Sequence, residues 1–240
     1  MATTNQAKAG QLHFLFVRHG ETQDNIDRVL QGHRDTDLTD KGRREAEVLA
    51  DKLRDQHIDA IYYSPLSRIV TTITPIRAGR ANVQVYPDED LKGQALGQLE
   101  GQSYDTIDMG NPRSADGQPG VELFDDFVRR LKRVFARIVG QQALQVGSQD
   151  RTVMIATHGV GITSLFKALE ASPSCQGFNP KLATRGPNAF EVRWTDSDDV
   201  ARLVVPDPTS LPIKDGELDW SSVKGEPFLI EYWGKKEKAL

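Results

Sequence analysis

Apolar positions along the chain repeat with two different periods. Leu12–Val17 is a nearly continuous apolar run, broken only by His13, as expected of a strand buried on both faces. Asp37-Leu38-Thr39-Asp40 then offers a helix start with Thr39 as N-cap, and Ala46, Leu49, Ala50 and Leu53 follow at helical spacing. Ile58–Tyr63 predicts a second strand, stopped by Ser64-Pro65, and Leu66–Ile76 a short helix. Asn82–Tyr86 alternates like a third strand. Leu123, Phe127, Leu131, Val134, Phe135 and Ile138 mark a strongly amphipathic helix. Thr152–Thr157 is another buried strand and Val160–Leu169 another helix. Ala189–Trp194 and Val200–Val205 flank the acidic turn Asp196–Asp199 and predict a hairpin. Prolines at 206, 208, 212 and 227 then punctuate a loop-like stretch before the apolar segment Phe228–Trp233.

Strands alternating with helices predict an α/β fold: a three-layer sandwich with a mainly parallel central sheet flanked by helices on both faces. At 240 residues, with no repeat and no linker-like stretch, a single domain spanning 1–240 is expected. Lys92–Gly120 interrupts the periodicity. It is rich in Gly, Gln, Asp and Pro, and reads as a long irregular excursion of the kind that often carries function.

Charge narrows the partners. The net charge of -4 gives no global basic field for nucleic acid or an anionic membrane, so any anion must be held by a local cluster. No apolar run approaches the ~20 residues of a membrane span, and the polar start MATTNQAKAG has no signal core. Cys175 is the only cysteine, which rules out an intrachain disulfide. A cytoplasmic location is expected, with neither nucleic acid nor membrane as partner.

The candidate chemistry sits at two strand ends. Of five histidines, His19 and His158 alone follow a buried strand and precede a glycine, Gly20 and Gly159. In open α/β sheets ligands bind beyond the carboxyl ends of the strands, so neighbouring parallel strands would bring both imidazoles to one crevice. Arg18 adjoins His19, and Arg68 lies just past the second strand. Guanidinium is a forked donor for phosphate oxygens, and a neutral imidazole can attack phosphorus. The set suggests phosphoryl transfer through histidine.

In this order the residues resemble the histidine phosphatase superfamily, which includes cofactor-dependent phosphoglycerate mutases and many small phosphatases. Its Arg-His-Gly-Glu-Thr signature is matched by Arg18-His19-Gly20-Glu21-Thr22, and its downstream Asn by Asn25. Gly32, then Asp37-Leu38-Thr39-Asp40-Lys41-Gly42, Ser64-Pro65-Leu66-Ser67-Arg68 and Thr157-His158-Gly159 match later segments. The likeness runs over about residues 12–195 and leaves 196–240 as a C-terminal extension. The resemblance implies His19 as nucleophile, Arg18, Arg68 and His158 as phosphate-binding groups, and Asn25, Thr22 and Gly159 as substrate contacts. It implies no metal and no cofactor, and a small phosphorylated substrate as the partner.

One departure matters. Many relatives place a general-acid Glu in a Leu-x-Glu segment ahead of Gly-x-x-Glu-Gly. Here Gly97, Glu100 and Gly101 align, but the acid position in Leu91-Lys92-Gly93 is Gly93. Glu122 is the first candidate substitute, ahead of Asp88, Glu89, Asp90 and Glu100. The Glu-Arg-x-Tyr-Gly segment of phosphoglycerate mutases is absent. The resemblance therefore implies a metal-independent phosphatase acting on a phosphomonoester or diphosphate. A mutase and a non-catalytic phosphate-binding protein are the alternatives. Gly93–Gly120 and Ser172–Pro187, with Arg113, Lys181 and Arg185, are expected to shape the substrate end.

Overall fold

The structure is a computed structural model that describes residues 10–170, 200–205, 207–219, 221–222 and 229–232. Its centre is strand β1 (Leu12–Arg18), whose alternating side chains feed two separate cores. Phe14 and Phe16 face one way, where Phe135 and Phe166 meet them edge-on at ring-centre distances of 5.3 and 4.9 Å. Leu15 and Val17 face the other way, among Leu49, Ile69, Ile73 and Ile76. A strand apolar on both faces is what a sheet covered by helices on both sides demands.

After β1 come the single-turn helix α1 (Gln23–Ile26) and α2 (Asp40–Lys52). Then follow β2 (Ala60–Tyr63), α3 (Ser67–Ala78) and β3 (Gln84–Pro87). Lys92–Gly120 contains only short 3-10 turns, as its composition predicts. Helix α4 (Phe124–Ala143), β4 (Arg151–Thr157) and α5 (Gly159–Glu170) complete this part. Helices α2 and α3 cover one face of the sheet and α4 and α5 the other, so the predicted three-layer α/β sandwich is observed.

The sheet order is β3-β2-β4-β1-β5-β8, with β5 (Val200–Val205) and β8 (Leu229–Tyr232). The pairs β3-β2, β2-β4 and β4-β1 are parallel, while β5 runs antiparallel to both β1 and β8. The Val200–Val205 half of the predicted hairpin is thus a sheet strand beside β1. Ala189–Trp194 lies outside the described residues, as do Ser172–Pro187. The apolar segment near the C-terminus supplies the far strand. A small hairpin, β6 (Ile213–Lys214) and β7 (Glu217–Leu218), packs on α4.

Thr39 caps α2 as predicted, its hydroxyl accepting from Gly42 N at 3.0 Å. Ile58–Tyr63 is shorter as a strand than its apolar run. The strand proper starts at Ala60; Asp59 just before it donates its N–H to the Thr152 carbonyl and accepts from Thr152 N with its carboxylate, both at 2.8 Å.

The candidate active site

Strand register brings the two histidines together. β1 and β4 pair in parallel from Leu12↔Arg151 to Arg18↔Thr157, so the next residues, His19 and His158, leave the sheet side by side. Their ring centres are 5.5 Å apart, with rings 7% and 6% exposed in residue terms. Gly20 permits the turn. A Cβ there would stand 2.6 Å from the Gly42 carbonyl oxygen, so the turn after β1 packs directly on the start of α2.

The backbone sets the chemistry of His19. Its Nδ1 lies 2.8 Å from the Gly20 carbonyl oxygen, which can only accept, so Nδ1 carries the proton. In the neutral ring Nε2 then holds the lone pair. Burial first, and then the positive charges of Arg18 and Arg68, push the His19 pKa well below the usual 6.5, opposed by the Gly20 bond. Burial, Arg68, His19, His33 and Arg18, in that order, do the same to His158. The Ser64 hydroxyl lies 2.9 Å from His158 Nε2 and fixes that ring. When Ser64 donates, Nδ1 of His158 carries the proton and can offer it to an oxyanion.

These directions give a pH dependence. Unfolded histidines protonate near 6.5, while the folded rings resist protonation. Below about pH 6.5 the unfolded chain therefore takes up protons that the folded chain refuses, and stability falls with falling pH. The expected slope is about 1.4 kcal/mol per pH unit for each histidine. Chemical denaturation of wild type and of the double variant His19→Gln, His158→Gln between pH 8 and 5 checks it. The variant is expected to lack that part of the slope; identical slopes would contradict it.

Arg68 enters from the first turn of α3 and is 1% exposed. Its Nη1 donates to the Arg34 carbonyl at 2.8 Å and its Nη2 to the Gly32 carbonyl at 2.9 Å, while Nε is buried and makes no hydrogen bond. Burial lowers its pKa to about 10, with Asp35, Asp24 and Glu100 opposing, so it remains a cation at neutral pH. Thr72 ties this arginine to the loop after His19: its hydroxyl accepts from Gly20 N at 3.0 Å and donates to the Arg68 carbonyl at 2.6 Å.

Arg18, His19, Asn25, Arg68, Gly93, His158 and Gly159 all line one cavity of about 600 Å³. Thr22, expected to touch substrate, is fully buried outside that wall and works through Asn25. Its N–H and hydroxyl donate to Asn25 Oδ1 at 3.1 and 2.9 Å, a capping box that turns the Asn25 amide donors the other way. The start of α5, Gly159 and Val160, adds the positive end of a helix dipole to the wall.

Glu122 is not on the wall, and its placement does not suit a proton donor. Its two oxygens accept from Arg130 Nε at 2.8 Å and Nη2 at 2.7 Å, a bidentate pair. The same guanidinium donates to the carbonyls of Asp90, Lys92 and Gly93 at 2.7, 3.1 and 3.1 Å. Glu122 and Arg130 together brace the segment that carries Gly93. The other carboxylates are similarly engaged. Asp88 pairs with Arg137 at 2.6 Å, Glu89 with Lys92 at 2.6 Å and Asp90 with Arg133 at 3.6 Å. Glu100 accepts from His33 N and Leu96 N. Among the described residues the only carboxylate on the cavity wall is the exposed Asp108. Arg113 pairs with Asp125 and lies off the wall; Lys181 and Arg185 are outside the described residues.

Sequence reading missed three contributors. Ser64 registered as a strand breaker and as part of the matched Ser64–Arg68 segment but was given no role at the site, although it follows the carboxyl end of β2, the same kind of position that singled out the histidines. Thr72 and Arg130 sit on helices and carry no local signal; their partners are remote in sequence. Among the described residues no group of three or more His, Cys, Asp or Glu side chains is placed to hold a metal ion, and no helix is long and apolar enough to cross a membrane.

Residues 14–198 match the family model described as the histidine phosphatase superfamily, branch 1. The chain belongs to the histidine phosphatase superfamily. It is 30% identical to phosphoglycerate mutase-like protein 4 of Arabidopsis thaliana, over 75% of this chain and 81% of that one. It is 25% identical to a broad-specificity phosphatase of Saccharomyces cerevisiae, over 66% and 70%. Among solved structures, Bacillus stearothermophilus YhfR superposes with a TM-score of 0.62 at 26% identity, over 90% of this chain and 97% of that one. Further relatives in the superfamily bear the names of both phosphatases and phosphoglycerate mutases. As a superfamily member the chain is an enzyme of phosphoryl-group chemistry.

Proposed function

We propose that this superfamily member is a metal-independent phosphatase that hydrolyses a small phosphomonoester or diphosphate through a phosphohistidine at His19. The observation that carries the reading is the His19 Nδ1–Gly20 bond, which leaves a neutral Nε2 beside two guanidinium groups and a second imidazole. Nε2 attacks phosphorus, an N–P bond forms, and the ester P–O bond breaks with its electron pair on the leaving oxygen. Arg18, Arg68, His158 and the Asn25 amide meet the charge on the equatorial oxygens, where most of the catalytic task lies. Water then attacks the phosphohistidine, the N–P electrons return to Nε2, and the water proton ends on the leaving oxygen or in solvent. Hydrolysis is favoured over mutase chemistry by the missing Glu-Arg-x-Tyr-Gly segment.

The test is incubation with ³²P-labelled aryl phosphate in the presence of a chelator. Steady release of phosphate with an acid-labile label on the protein is expected. A protein that neither turns over nor takes up label would be a phosphate-binding relative instead.

A further inference from the structure

The cavity is far larger than one phosphate, and its lining combines two kinds of side chain. The floor is polar: Arg18, His19, Asn25, Arg68 and His158. The rest is built largely by the Lys92–Gly120 excursion and carries the apolar side chains of Leu30, Leu96, Tyr104, Ile107, Met109 and Phe124, with Arg28, Gln31, Gln94, Asp108 and Asn111 among them. Leu96, Tyr104, Ile107 and Met109 belong to a small satellite core around the buried Leu30, Leu99 and Ala115, and are only partly covered by it. Their remaining apolar surface faces the cavity. The excursion thus has a hydrophobic cluster of its own, which a polar loop covering a small sugar phosphate would not need.

A second, independent observation bears on the same group. The wall beside His158 is the bare Gly93, and none of the carboxylates near it in sequence reaches the cavity. Among the described residues only the exposed Asp108 brings a carboxylate to the cavity wall, so the site suits a leaving group that carries its own negative charge, as a ring-conjugated oxygen does.

We propose that the chamber above the phosphate floor takes an apolar, ring-sized leaving group, so that the substrate class is an aryl or otherwise hydrophobic phosphomonoester. Small polyhydroxylated phosphates are then poor substrates. This rests on the phosphatase reading for the floor, where the phosphoryl group would sit. The Arg28 guanidinium, 5.6 Å over the Tyr104 ring, stiffens one side of the chamber, and both residues line it.

Leaving-group reactivity and binding are separated by non-hydrolysable probes. Binding of 2-phenylethylphosphonate and methylphosphonate to the full chain is compared by calorimetry. Both present the same phosphonate to the floor, and only the first reaches the chamber. The arylalkyl compound is expected to bind about tenfold or more tightly, the scale on which hydrophobic pockets discriminate. In Met109→Asp, and separately in Ile107→Asp, that advantage is expected to shrink to about threefold or less. Binding of methylphosphonate reports that each variant is folded. Equal affinity of wild type for the two probes, or an advantage that survives both variants, overturns the inference and leaves the phosphatase reading standing. Binding of neither probe overturns both.

Discussion

His19→Ala is expected to reduce turnover of any phosphate ester by about 10⁴-fold or more, the scale on which covalent nucleophiles are lost, while the fold persists. The side chain makes one hydrogen bond, to its neighbour's carbonyl, and its strand is held independently by Phe14, Phe16, Leu15 and Val17 in two cores. Removing an imidazole whose charged form is disfavoured by burial and by two arginines also makes the variant's stability less sensitive to acid than that of wild type. Rapid-quench labelling with ³²P-substrate checks the covalent step: wild type retains acid-labile label and the variant none. Near-normal turnover by His19→Ala would show that phosphorus is attacked by something else.

Gly93→Glu is expected to raise activity, which is unusual for a substitution at a buried glycine. A Cβ at this position would lie 3.5 Å from His158 Cγ and 3.7 Å from its Cβ and Cδ2, ordinary contact distances. The backbone there is not in the left-handed region that favours glycine, since no such angle is found at Gly93. The segment is also held in place. His33 Nε2 and Arg130 Nη2 both reach the Gly93 carbonyl, and the Thr157 hydroxyl donates to the Leu91 carbonyl at 2.6 Å. A glutamate would therefore project along the His158 ring toward the phosphate floor. General acid help is worth about 10²–10⁴-fold where the leaving group needs it. For alkyl phosphates about 10- to 100-fold in kcat is expected, allowing for imperfect placement, with little change for nitrophenyl phosphate. The measurement is the dependence of rate on leaving-group pKa, which should become shallower in the variant. A folded Gly93→Glu protein with an unchanged slope would mean that a proton already reaches the leaving oxygen by another route. Asp108, on the cavity wall, would then be the first residue to examine.

The parts of this molecule that were legible in the sequence are those governed by local rules. β1 and β4 are buried on both faces, so their middles are unbroken apolar runs that announce themselves. The Thr39 cap and the amphipathic α4 are similarly local. The meeting of His19 with His158 was also legible, because two strand ends of the same kind in a parallel sheet share an edge. The roles of single side chains were less so. Glu122 stood first among the candidate acids because nothing in the neighbouring residues reveals that Arg130, two turns along α4, takes both of its oxygens. Thr22 looked like a substrate contact because the capping box that uses it depends on the backbone angles of the next turn. The apolar chamber was invisible for a different reason. Leu30, Leu96, Ile107 and Met109 come from loop segments without periodicity, and only their packing makes them one wall.

Strand β1 lies between β4 and β5, so its two hydrogen-bonded neighbours come from Arg151–Thr157 and Val200–Val205. Both of these neighbours are made after β1, so the segment bearing His19 is completed only late in synthesis. Until residue 157 has emerged it has no partner at all, and until residue 205 has emerged one whole edge of backbone donors and acceptors stays open. Its side chains are apolar on both faces in that interval, the combination that invites pairing with another chain. The order of synthesis thus leaves the strand that carries His19 open to pairing with another chain until both of its neighbours have been made.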